Sequence, residues 1–272
     1  MRIAIYGKGG IGKSTVAANV SALLSKRNKT VLQVGCDPKH DSTLLLVDGE
    51  PVTVLSGLSM ENSLSVSDIV KKGKGNIDCI EIGGPAPGVG CAGRGIIKGL
   101  EIIKRLGVYS KTYDYIIYDI LGDVVCGGFF EPLKGGFVDE MYIVTSGEFN
   151  SLFAANNLCK GYLNCNLSSK GVKMGGIIGN CRGIDNEKLL IEAFCNQLNV
   201  PLVAMIPRSN KIEKSTFEGV PIVDYYTELE HEIVTPLEDI ANSFCNENKI
   251  NLIPKPLELN ELRELCKKIR FD

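Results

Sequence analysis

The sequence predicts an α/β fold built on a doubly wound, mostly parallel sheet. Three observations predict it. Short apolar runs alternate with longer amphipathic stretches along the chain. The first of those runs empties into a glycine-rich loop with the spacing of a phosphate-binding turn. Two later runs are followed by aspartates, at the strand ends where such sheets bind ligands.

The elements follow in order. Arg2–Tyr6 reads as the first strand and Lys13–Lys26 as the helix after it. Thr30–Gly35 and Ile77–Ile82 are the next strands, each a short apolar run bounded by turn residues. A helix over Gly95–Leu106 precedes the strand Tyr115–Asp119. Strand Glu140–Thr145 leads to a helix over Asn150–Tyr162, and strand Val172–Gly179 to a helix over Asn186–Leu198. Strand Leu202–Ile206 is followed by a helix over Thr227–Asn246. No composition break interrupts this alternation, so residues 1–272 read as a single domain. Within it, residues 251–272 form a tail that begins with Pro254 and Pro256 and ends helix-like; it is expected to pack on the body or on a second subunit.

Composition narrows the function. Of 272 residues, 44% are hydrophobic and 23% charged, ample for a large core. A net charge of −2 gives no basic excess for nucleic acid. No apolar run approaches the roughly 18–20 residues that span a bilayer. The first residues run straight into a strand without a signal peptide. The expectation is a cytoplasmic protein that binds neither nucleic acid nor membrane. Ten cysteines are many, yet none are spaced as CxxC. In a long chain with a phosphate loop, reduced thiols or metal ligands suit them better than a disulfide framework.

The loop itself is Gly7-Lys8-Gly9-Gly10-Ile11-Gly12-Lys13-Ser14-Thr15, which fits G-x-x-x-x-G-K-[ST]. Its glycines let backbone N–H groups curl around phosphate oxygens, and the following helix presents its positive end to them. Lys13 is placed to reach the β- and γ-phosphates and Ser14 to ligate Mg²⁺. Gly7, Gly9 and Gly12 also satisfy G-x-G-x-x-G, with Asp37 where a dinucleotide site wants its ribose acid. The phosphate-loop reading is preferred, because a dinucleotide turn has no use for Lys13 and Ser14.

The second strand opens into Asp37-Pro38-Lys39-His40-Asp41-Ser42-Thr43. Asp37 could position or deprotonate an attacking water, with Lys39 beside the nucleotide and Asp41 holding Mg²⁺ through water. The competing reading of Asp41 is a turn leading into a helix that it caps. Asp119 ends the strand Tyr115–Asp119 after four apolar residues, as a magnesium-side carboxylate does in phosphate-loop ATPases, and Asp123 could sense the γ-phosphate end. Cys126 lies seven residues past Asp119, so one segment of at most about 25 Å ties the nucleotide to a cysteine.

Cys91 and Cys126 both sit among glycines, and Cys91 immediately precedes a helix-like run. Small neighbours let backbone amides approach sulfides, and a helix start favours thiolate charge. A cubane iron–sulfur cluster wants four thiolates, which two such cysteines supply across a twofold axis. The other eight cysteines fall in or beside strands and helices and read as ordinary thiols.

Gly7–Thr15, Gly35–Thr43, Pro85–Ile97 and Asp119–Phe129 together resemble the iron protein of nitrogenase and its nitrogenase-like relatives. Lys8, straight after the first glycine, marks the deviant P-loop ATPases; the resemblance implies that it crosses a dimer interface to the partner's nucleotide. The resemblance further implies a homodimer sharing one 4Fe-4S cluster through Cys91 and Cys126, with MgATP in each subunit. Electrons would pass to a separate reductase as ATP is hydrolysed, with a ferredoxin or flavodoxin as source. Asn180 matches the family's base-contacting asparagine, Pro207 and Arg208 its adenine-side segment, and Arg94 its exposed arginine at the partner-docking face. Pro85–Gly95 is close to nitrogenase iron proteins, whereas Leu32–Thr43 and Leu152–Asn156 lean towards the protochlorophyllide-reducing branch. Two alternatives accompany this reading: the iron–sulfur subunit of a tetrapyrrole reductase, and a non-redox deviant P-loop ATPase that positions or assembles other components.

Overall fold

The computed structural model describes residues 1–57, 64–84, 92–122, 127–225, 231–246 and 252–271. Its centre is one eight-stranded sheet. The strands are β1 (Arg2–Gly7), β2 (Val31–Cys36), β3 (Lys71–Lys72), β4 (Ile77–Glu81), β5 (Tyr115–Leu121), β6 (Glu140–Thr145), β7 (Lys173–Asn180) and β8 (Leu202–Ile206). They lie in the order β3-β4-β2-β5-β1-β6-β7-β8. Every pairing is parallel except β3 with β4.

The long helices are α1 (Lys13–Lys26), α2 (Ala92–Arg105), α3 (Phe149–Asn164), α4 (Glu187–Leu198), α5 (Asn210–Phe217), α6 (His231–Cys245) and α7 (Leu259–Phe271). They cover both faces of the sheet, which explains why the central strands are apolar on both sides. One core packs α2, α3, α4 and α7 against Tyr6, Leu32, Val34, Tyr118 and Ile143. The other packs α1 and α6 against Ile3, Ile5, Ile117, Tyr142 and Val144. Each fully buried Ile, Leu or Val contributes about 1.5–3 kcal/mol relative to exposure.

Strand order decides between the two readings of the glycine loop. In a dinucleotide fold the first two strands are neighbours. Here β5 lies between β1 and β2, pairing with both. Asp119 on β5 and Asp37 after β2 thereby both come to the β5 side of the loop after β1, as the phosphate-loop reading requires.

Three local differences from the sequence expectations stand out. The helix expected from Gly95 already begins at Ala92 and so takes in Arg94, which is exposed. Residues 42–48 form turns rather than a helix, so Asp41 caps nothing. The helix expected over Thr227–Asn246 runs from His231 to Cys245. In the described part of the tail, α7 packs on α4 and α3 with Leu262, Leu265 and Cys266 buried. Asn156 fixes the tail's approach: its Nδ2 donates to Leu257 O and its Oδ1 accepts from Leu257 N, both at 2.8 Å.

Candidate functional site

The loop after β1 is shaped by glycines at its close approaches and left-handed turns. A Cβ on Gly7 would meet Val144 O at 2.7 Å, and one on Gly12 would meet Asn180 Nδ2 at 2.4 Å. Gly10 and Gly12 also hold φ of +72° and +93°, the left-handed region that side chains disfavour. Gly12 caps α1 without any side-chain hydrogen bond, which leaves the first amides of the helix to an anion. Ile11 N–H closes the turn on Lys8 O at 3.1 Å. Ser14 and Thr15 follow, both half-buried, and Lys8 and Gly9 are half-buried at the start of the loop.

Lys13 is 4% exposed, and its Nζ lies 3.7 Å from Oδ2 of the equally buried Asp37. The two sequence segments read as catalytic are therefore joined by an ion pair before any ligand arrives. Oδ1 of Asp37 accepts the Lys39 N–H at 3.0 Å, while Lys39 itself is exposed. Gln33 holds the next turn by donating to Ser42 O at 2.7 Å and Ser42 Oγ at 3.0 Å.

Between these segments lies a group of buried carboxylates. Oδ1 of Asp41, Oε2 of Glu81 and both oxygens of Asp119 are buried without a hydrogen-bond partner. Glu81 and Asp119 both pair in register with Gly35, so the three residues form one row across β4, β2 and β5. A Cβ on Gly35 would fall 1.8 Å from Glu81 Oε2, so the carboxylate of Glu81 leans across the space that glycine leaves. Oε1 of Glu81 is fixed, accepting from Thr43 N at 2.7 Å and Thr43 Oγ1 at 2.8 Å. Burial pushes the Glu81 carboxyl up to about 8; the Thr43 bonds pull the other way, and Asp119 and Asp41 add to the rise. Burial also raises Asp119, opposed by Lys13 and by the adjacent Ser14 and Ser42 hydroxyls.

Orphaned, buried acceptors of this kind suit a hydrated cation, which brings water protons to them. Among the described residues, no three His, Cys, Asp or Glu side chains are arranged to ligate one ion directly. Ser14, Asp41 and Asp119, the residues expected to face magnesium, would suit an ion held in part through water here. Glu81 was not foreseen from the sequence. The signal was there: a charged residue at the carboxyl end of an apolar parallel strand.

On the other side of α1 a cavity of about 360 Å³ is lined by Gly12, Thr15, Asn180, Pro207, Arg208 and Phe217 among others. Asn180 Nδ2 donates to Ile11 O at 2.7 Å, and Arg182 donates to Gly10 O at 2.5 Å, so β7 clamps the loop. Glu187 braces this corner by accepting the N–H groups of Arg182, Gly183 and Ile184 at 2.7, 2.9 and 3.2 Å. Pro207 is half-buried and Arg208 exposed.

Cys91, Asp123 and Cys126 lie outside the described residues. Their flanks are described. Gly122 donates to Gly7 O at 3.0 Å, bringing the exit of β5 against the phosphate loop. Gly93 and Gly128 each stand two residues past one cysteine, and a Cβ on Gly128 would meet Gly93 Cα at 2.7 Å. The two cysteine-bearing segments thus start from one backbone contact. Of the eight described cysteines, six are buried, Cys165 is intermediate and Cys245 is exposed.

Comparison with known proteins agrees with this geometry. Residues 1–271 match the model of the 4Fe-4S iron sulfur cluster binding proteins of the NifH/frxC family. Nitrogenase iron protein 2 of Methanothermobacter thermautotrophicus is 43% identical over 271 residues, covering 100% of this chain and 99% of the relative. Nitrogenase iron protein 2 of Methanobacterium ivanovii is 43% identical over 263 residues, 97% of each chain. Among solved structures, the septum site-determining protein MinD of Pyrococcus horikoshii, complexed with Mg-ADP, superimposes with a TM-score of 0.66 at 26% identity, covering 89% of this chain and 95% of that one.

Proposed function

This chain belongs to the NifH/frxC family of 4Fe-4S iron–sulfur cluster binding proteins, and on that premise we propose that it is an ATP-dependent electron-transfer component. It works as a homodimer that carries one 4Fe-4S cluster and MgATP and delivers electrons to a separate reductase, coupled to hydrolysis. A ferredoxin or flavodoxin reloads it. The observation that carries this reading is the double contact of the segment joining β5 to Gly128. At one end Gly122 is bonded to Gly7 of the phosphate loop, and at the other Gly128 packs on Gly93.

In this reading Gly7 to Thr15 cradle the phosphates, and Lys13 leaves Asp37 to meet the γ-phosphate. Ser14 holds magnesium, with Asp41 and Asp119 accepting from its water. Asp37 orients the attacking water, Lys8 reaches the partner subunit's nucleotide, and Asp123 responds to the γ-phosphate. Asn180, Pro207 and Arg208 take the base side, with Lys39 near the nucleotide and Arg94 on the docking face. Cys91 and Cys126 hold the cluster, which supplies the one-electron redox chemistry when bound.

Protein purified without oxygen should carry about four irons per dimer, as one cubane cluster requires. Its paramagnetic resonance spectrum in the reduced state should change when MgATP is added. A cluster signal indifferent to MgATP would overturn the coupling. Cys126→Ala protein that keeps its full iron would overturn the ligand assignment.

A further inference from the structure

Glu81 is 1% exposed, and half of its carboxylate has no partner. Such a group persists in a core only where something compensates for it. Its surroundings are specific. Oε1 is held by the amide and hydroxyl of Thr43, two residues past Asp41. Oε2 fills the space above Gly35, in the row that ends at Asp119. The arrangement adds a third acceptor to the set formed by Asp41 and Asp119.

The same strand end leads towards the first cysteine. Gly83 and Gly84 follow Ile82, and Cys91 stands seven residues past Gly84. Gly84 packs on the loop that Glu81 holds: a Cβ there would meet Pro38 Cβ at 2.6 Å. Ile82 N–H donates to Gly35 O at 2.9 Å. The segment from Gly35 to Thr43 therefore touches the exit of β4 at two points.

We propose that Glu81 is a positioning residue that accepts from the water shell of the magnesium of MgATP through Oε2, and through Thr43 and the Gly84–Pro38 contact passes that event to the Cys91 segment. This rests on the MgATP-binding reading above. It adds a route from the nucleotide to Cys91 beside the one through Asp123 and Cys126.

The test is Glu81→Gln in the intact, cluster-loaded protein. Glutamine keeps an acceptor for Thr43 but places an NH₂ donor among orphaned acceptors. Fluorescent ATP is titrated with magnesium and with EDTA, thermal unfolding is followed without nucleotide, and the reduced cluster's paramagnetic spectrum is recorded with and without saturating MgATP. In wild type, magnesium should tighten nucleotide binding and MgATP should alter the spectrum; absence of either faults the underlying function, not Glu81. In Glu81→Gln we expect the magnesium-dependent gain in affinity to fall at least tenfold, while binding in EDTA stays within twofold. The nucleotide-free melting temperature should hold or rise, and the spectral response should weaken. Glu81→Ala should lose the same gain with lower stability. A Glu81→Gln protein that keeps the magnesium gain within twofold overturns the proposal, whatever its stability. Loss of the gain with a wild-type spectral response at saturation overturns the link to Cys91.

Discussion

At the scale of single residues, the site is a set of charges that balance one another only in part. Lys13 is a buried cation paired with Asp37, and it also opposes the rise in Asp119. Breaking a buried pair leaves a charge uncompensated, which costs about 3–5 kcal/mol. Lys13→Ala should therefore destabilise the nucleotide-free protein by that amount in urea denaturation, besides abolishing ATP hydrolysis. If hydrolysis is lost with no change in the urea midpoint, the Lys13–Asp37 pair is not what holds the empty loop. Much of this was legible in the sequence: the loop's spacing names Lys13 and Ser14, and strand ends name Asp37 and Asp119. Glu81 showed only as an acid at the end of an apolar strand; its place beside Asp119 depends on a register across three strands that puts Gly35 between the two acids. The bond from Asn180 to Ile11 O was equally hidden, since the two residues are 169 positions apart.

At the scale of elements, the sheet's parallel strands could be read from their apolar runs, and their observed ends differ from expectation by a residue or two. The two-residue β3 could not, since Lys71 and Lys72 are exposed and carry no periodicity. What fixes β3 is Asp78 on β4, which is buried and accepts from Lys72 at 2.5 Å, Lys111 at 2.6 Å and Tyr113 Oη at 2.7 Å. Burial raises the Asp78 carboxyl, but Lys111, Lys72 and Tyr113 outweigh it and hold it below the usual range. The sign follows: this stabilisation is fully present above the ordinary aspartate pKa of about 3.9 and is lost as pH falls through the lower folded value. Asp78→Asn should cost about 1–3 kcal/mol at pH 7, and the difference should shrink as pH falls through the lowered folded value. A difference independent of pH would mean that packing, not charge, joins β3 to β4. The tail offers a second test. Its helix α7 buries its own apolar face on α3 and α4, and Asn156 supplies both bonds to Leu257. Asn156→Ala should loosen this attachment by about 1–3 kcal/mol, read as faster hydrogen exchange across α7 with exchange in β1 unchanged.

At the scale of the whole molecule, the proposed nucleotide site draws on both halves of the sheet. Asp37, Asp41, Glu81 and Asp119 come from β2, β4 and β5 or the loops that follow them, whereas Asn180, Pro207 and Arg208 come from β7 and the turn after β8. The phosphate loop sits between them, after β1, which is bonded to β5 on one side and β6 on the other. Nucleotide that engages both halves should thus stabilise them together. By mass action, MgATP at a hundred times its dissociation constant adds about 2.7 kcal/mol. For a chain of this size each kcal/mol raises the melting temperature by roughly 2–4 °C, so the expected shift is about 5–10 °C. Calorimetry at fixed protein concentration should show one transition moving upward as a unit. ATP in EDTA should move it less, because the orphaned oxygens of Asp41, Glu81 and Asp119 then stay without partners. A transition that splits on adding MgATP, with one part unmoved, would show that the β6–β8 half does not share in binding. The base-side role given to Asn180, Pro207 and Arg208 would then fail, while the phosphate loop and its carboxylates would stand.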